Sequence, residues 1–211
     1  MNIPTNILSI IDIINKSEDR WKATYMSFWG YASLIKSQFE NTSDWDKEIK
    51  LWLPASKNRH HIYTYKQLHS ILTSKDLEIT LNYLQTLFSL FEELLNEASK
   101  ILCSSELNTS KWIYMEEFFK ENNTNDILTS PQLKELKLAK ETRNCYIHKG
   151  SKINKKWLNA YKEAKGNPIA SINQNLMKGF GGFKKLFHQI EEWQDLIIEI
   201  SNKIKNKIES K

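Results

Sequence analysis

The sequence predicts an all-α protein: a single helical-bundle domain of about six to eight helices with a long central helix at about 75–102. Three observations predict it. The 211 residues include only 6 Gly and 4 Pro, too few to punctuate a hairpin-rich β fold. Apolar residues recur at three- and four-residue spacing over most of the chain. One run keeps that spacing without a breaker through Leu77, Leu81, Leu84, Leu87, Phe88, Phe91, Leu94, Leu95, Ala98, Ile101 and Leu102.

That run sets the frame. Ser74 is placed to cap it and Glu78 to favour its positive end. About 28 residues at 1.5 Å each give a helix on the order of 40 Å, long enough to be the spine of the domain. Ahead of it, Asn6 or Thr5 caps a helix carrying Ile7, Ile10, Ile11 and Ile14. The pattern resumes through Trp21, Tyr25, Phe28, Trp29, Ala32, Ile35 and Phe39, and Gly30 within it suggests a close helix–helix contact. Residues 41–75 break the rhythm with Pro54 and polar clusters, and are expected to be a loop-rich insertion with short helices and no regular strand. After the spine, Ser110 opens a short helix with Trp112, Ile113, Met115, Phe118 and Phe119, ending in a polar turn at 121–126. Ser130 and Pro131 start the next helix, which Gly150 stops. A short helix from Ile153 to about Ala164, an Asn- and Gly-rich loop, and an amphipathic helix from Phe183 to about Ile208 complete the chain.

Composition narrows the function. No stretch approaches the roughly 20 apolar residues of a membrane span, and no basic-then-apolar leader is evident, so a cytoplasmic protein is expected. Cys103 and Cys145 are too few for a disulfide framework, and His60 with His61 lacks metal-ligand spacing, so no metal or cofactor is expected. Net charge is +5, but it is concentrated. Residues 142–190 hold ten basic side chains against one acidic, Glu163, and thereby carry the whole positive excess. A solvated lysine face would look the same; a polyanion surface is favoured because the excess begins at the helix that carries the chemistry.

That chemistry is concentrated in Arg143, Asn144 and His148. Arginine is scarce, 3 residues (Arg20, Arg59, Arg143) among 30 basic ones, so an arginine five residues before a histidine stands out. The guanidinium is a permanent planar fork suited to phosphate, and imidazole exchanges protons near neutral pH. Together they suffice for RNA to cleave itself through its 2′-hydroxyl, given a second acid–base group. Asn144 and His148 are four apart and share a helix face, so the amide is placed to orient the imidazole. Arg143 and His148 lie about 140° apart around the helix. Either Arg143 reaches around, the last turn distorts, or a second subunit completes the site; the last is favoured. The plain structural alternative is a C-capping histidine with Arg143 paired to Glu141 or Glu135. Cys145 and Ile147 are expected to face the core. Lys149, Lys152, Lys155 and Lys156 are phosphate-contact candidates and Tyr146 a base-stacking one, with His188, Lys184 and Lys185 weaker; Arg59, His60 and His61 read as a solvated loop.

The string Arg143-Asn144-Cys145-Tyr146-Ile147-His148, late in a helix of a small all-α chain, resembles the signature of the HEPN (higher eukaryote and prokaryote nucleotide-binding) family. The likeness covers about 15 residues through the His-Lys-Gly turn. It implies a HEPN-like domain over 1–211, a metal-independent endoribonuclease acting as a homodimer, and a toxin or antiphage-defence role with RNA and an antitoxin or defence-system protein as partners. The chain departs from the family at Gly150, where HEPN toxins paired with nucleotidyltransferase antitoxins often carry tyrosine. The alternative is a non-catalytic helical module binding RNA, nucleotide or a partner protein.

Overall fold

The computed structural model describes residues 3–39, 46–52, 60–103, 115–121 and 127–211. Among them are seven helices: α1 (Thr5–Phe39), α2 (Tyr65–Leu102), α3 (Met115–Glu121), α4 (Ser130–Lys149), α5 (Lys155–Lys165), α6 (Leu176–Gly179) and α7 (Phe183–Glu209). The protein is all-α, with one two-stranded antiparallel hairpin, β1 (Glu48–Trp52) and β2 (His60–Thr64). Ser110, Trp112, Ile113 and Arg59 lie outside the described residues, as does most of the turn at 121–126. No helix of the described residues is long and apolar enough to cross a membrane.

Two compact units form. The first comprises Met1–Glu18 and Leu81–Lys211. Its core takes Ile7, Ile10, Ile11 and Ile14 from α1 and Leu81, Leu84, Leu87, Phe88, Phe91, Leu94, Leu95 and Ala98 from α2, all at the spacing that the sequence shows. α7 adds Leu186, Ile190, Trp193, Ile197, Ile200 and Ile204. Within this core Tyr83 donates to Gln194 Oε1 at 2.5 Å and lies 3.0 Å from Ser17 Oγ, linking α2, α7 and α1 by buried hydrogen bonds. Burial raises the Tyr83 phenol well above its ordinary range, against the hydrogen bond with Ser17.

The second unit is Asp19–Thr80. It holds the rest of α1, the hairpin and the first turns of α2. Strand pairing runs from Glu48 opposite Thr64 to Trp52 opposite His60. Three expectations are corrected here. Residues 41–75 include regular strands, because Ile49 and Leu51 alternate with Glu48 and Lys50, a period-two pattern that suits a hairpin. The long helix starts at Tyr65, not near Ser74, because a capping box precedes it. The Thr64 N–H donates to Gln67 Oε1 at 2.9 Å, and the Gln67 N–H donates back to Thr64 Oγ1 at 3.1 Å. Among the described residues Gly30 marks no close contact: it is exposed, and a Cβ built there meets nothing within 4 Å.

Candidate active site on α4

α4 is fixed at both ends. Thr129 caps it, with its N–H donating to Gln132 Oε1 at 2.7 Å, and Pro131 sits in the first turn, where a missing N–H costs nothing. Gly150 (φ 55, ψ 46) turns left-handed, and the Ser151 N–H closes back on the Cys145 carbonyl at 3.1 Å. The helix stays regular through Lys149, so the last turn does not distort. The turn beyond is held in place by Asn173–Leu176: the Ile153 N–H donates to Gln174 O at 2.8 Å and the Leu176 N–H to Ser151 O at 2.9 Å.

The inner face of α4 is Leu136, Leu138, Ala139, Thr142 and Cys145. α5 packs on it through the Trp157 indole, whose Nε1–H donates to Thr142 Oγ1 at 3.0 Å, while Thr142 donates to Leu138 O at 2.8 Å. A polar pair thus joins the two helices one residue before Arg143. Burial raises the Cys145 thiol above its ordinary value. Ile147 departs from expectation. It is 39% exposed, because residues two apart on a helix point about 200° from each other and Cys145 takes the inward direction.

Arg143 is turned toward α2. Its Nη2 lies 2.6 Å from Glu92 Oε2, its Nη1 donates to Asn144 Oδ1 at 3.1 Å, and its guanidinium carbon stands 5.9 Å from the centroid of the buried Phe88 ring. The Arg143 side chain is 16% exposed and that of Glu92 19%. Carboxylate, amide and ring hold the fork in one orientation and leave a second N–H on each terminal nitrogen for an incoming anion. The partner is therefore neither Glu141 nor Glu135. Glu135 instead meets Lys165 at 2.8 Å and accepts from Trp193 Nε1 at 3.1 Å.

Asn144 serves the arginine and not the imidazole: its carbonyl oxygen is on Arg143. His148 is exposed, and among the described residues no hydrogen bond reaches its ring. Arg143 and His148 belong to one short stretch of helix, but the structure does not bring them onto one point. Tyr146 is half-buried, and its hydroxyl donates to Asn82 Oδ1 of α2 at 2.7 Å. Lys149, Lys152, Lys155 and Lys156 are all exposed and have no ion pair among the described residues. His188 is tethered to Glu191 at 2.9 Å. Among the described residues no three His, Cys, Asp or Glu side chains gather closely enough to hold a metal ion.

No protein-family model, curated protein or solved structure matches the chain. The site therefore stands on its own geometry. Glu92 and Asn82, the α2 residues that hold Arg143 and Tyr146, were not legible in the sequence. The signal for Glu92 was an acid four residues after Phe88, bordering an otherwise apolar stripe.

Proposed function

We propose that this protein is a metal-independent endoribonuclease of the HEPN type, acting as a cytoplasmic homodimer in a toxin or antiphage-defence role. The observation that carries the reading is a half-buried arginine, held by Glu92, Asn144 and Phe88, five residues before an exposed histidine that borders four lysines without ion pairs. An arginine fixed in this way is suited to a phosphate, and an exposed imidazole to proton transfer.

The reaction needs no added reagent. The 2′-hydroxyl oxygen attacks the adjacent phosphorus as a base takes its proton, and the bond from phosphorus to the 5′-oxygen breaks as an acid protonates that oxygen. The products are a 2′,3′-cyclic phosphate and a 5′-hydroxyl. Each chain supplies one His148, so base and acid come from two copies facing one cleft. In each turnover one imidazole takes a proton and the other gives one. Exposed Ile147, beside His148 on the same helix, suits a surface that a second copy covers.

The test pairs Arg143→Ala with His148→Ala. Each variant abolishes RNA cleavage while light scattering still reports a dimer. Full activity in either purified variant would overturn the assignment.

The second reading is a non-catalytic helical module that binds RNA, nucleotide or a partner protein. The Arg143–Glu92 pair favours it, since a carboxylate at 2.6 Å already neutralises the cation. It predicts salt-sensitive binding without turnover.

A further inference from the structure

We propose that the groove between α4 and α5 carries the RNA strand away from His148, with Lys156, Lys140 and Lys137 facing phosphates along it. The inference rests on the RNA-cleaving reading above. The groove is a cleft of about 250 Å³ lined by these three lysines with Glu141, Asn159 and Glu163.

Helix geometry connects it to the site. Lys137 and His148 are eleven residues apart, close to three full turns, so they lie within about 20° of one stripe and about 16 Å apart along the axis. On the facing wall, the Trp157–Thr142 hydrogen bond sets the first turn of α5, and with it Lys156, beside the C-terminal half of α4. Lys156 is exposed, as are Lys149, Lys152 and Lys155 before it. Lys137 and Lys156 have no ion pair among the described residues.

The length favours a strand over a lone anion. Three cations sharing the groove with two carboxylates form no concentrated positive pocket for one phosphate. They suit phosphates presented singly by a strand already anchored at Arg143. The same geometry makes Glu163, the one acid of residues 142–190, an opposing charge in the path. Removing it therefore strengthens binding.

The experiment uses the full chain carrying His148→Ala, so that RNA stays intact. Fluorescence anisotropy follows a labelled single-stranded RNA of about ten nucleotides across a salt series. Adding Lys137→Gln with Lys140→Gln weakens binding several-fold and lowers the log–log salt slope by about 1.4, two phosphate contacts at about 0.7 each. Glu163→Gln tightens binding. Lys203→Gln with Lys205→Gln on α7 removes the same charge and leaves the slope unchanged. An unchanged slope in the groove pair, with salt-dependent binding intact, overturns the groove and leaves the RNA reading standing. Competition by a nucleoside monophosphate that disappears in the same pair overturns the strand in favour of a mononucleotide pocket. No salt-dependent RNA binding by the parent protein overturns the RNA reading and the groove together.

Discussion

Arg143 Nη2 and Glu92 Oε2 stand 2.6 Å apart, joining the last third of α4 to the last third of α2 across 51 positions of sequence. The pair is mostly buried, so its loss costs more than a surface ion pair and less than a fully buried one. Glu92→Gln keeps the shape and removes the charge. The expected loss is about 2 kcal/mol, read from a urea midpoint at unchanged slope. Because the guanidinium also loses its fixed orientation, RNA cleavage falls as well, by about tenfold or more for a misplaced phosphate clamp. A stable Glu92→Gln protein with full activity would show that Glu92 does not position the arginine.

Thr142 accepts from the Trp157 indole and donates to Leu138 O, entirely within the core. Thr142→Val preserves the volume but strands a buried N–H, at about 1–3 kcal/mol. Melting temperature should fall by about 4–8 °C, taking about 2 kcal/mol and a chain of this size. An unchanged melting temperature would mean that the α4–α5 contact is not made through this bond.

Three glycines have three different consequences. Gly30→Ala adds a good helix former at an exposed position with open space around it, and should stabilise by about 0.5–1 kcal/mol. Gly150→Ala also meets nothing, but at φ 55 it forces a left-handed side chain and should cost about 1–2 kcal/mol. Gly179→Ala puts a methyl 2.7 Å from Trp157 Cη2 and 2.8 Å from Ile153 Cδ1, both buried, and should cost about 1–3 kcal/mol by overpacking. Chemical denaturation of the three variants separates the signs.

These glycines also show what the sequence could reveal. The helical class, α4 with its caps and the amphipathic course of α7 follow from local spacing and turn chemistry, which depend on near neighbours alone. Gly30 is ambiguous because a helical glycine signals equally a close contact or an empty one, and only the partner decides. The start of α2 is ambiguous in the sequence because Ser74 and Thr64 both make plausible caps; Gln67, three residues after Thr64, decides between them. In the site, Arg143, Asn144 and His148 stood out by residue type and spacing. The partners of Arg143 and Tyr146 did not, since Glu92 and Asn82 come from a helix more than 50 positions away.

High pH should weaken the fold. Burial holds the Cys145 thiol and the Tyr83 phenol above their ordinary values of 9.0 and 10.0. The fold thus favours the neutral forms. The stability they contribute is fully present below those ordinary values and is lost as pH rises toward and through the folded ones. Denaturant midpoints should therefore fall progressively above pH 9, and Tyr83→Phe should flatten the upper part of that decline. A midpoint constant across that range would contradict the buried placement of both groups.

The chemistry of the RNA ends tests the central claim most directly. Wild-type protein, purified and incubated with RNA in EDTA, should leave 2′,3′-cyclic phosphate and 5′-hydroxyl ends, and His148→Ala prepared identically should leave the RNA intact. Cleavage that stops in EDTA, ends carrying 5′-phosphate, or equal cleavage by His148→Ala would contradict it.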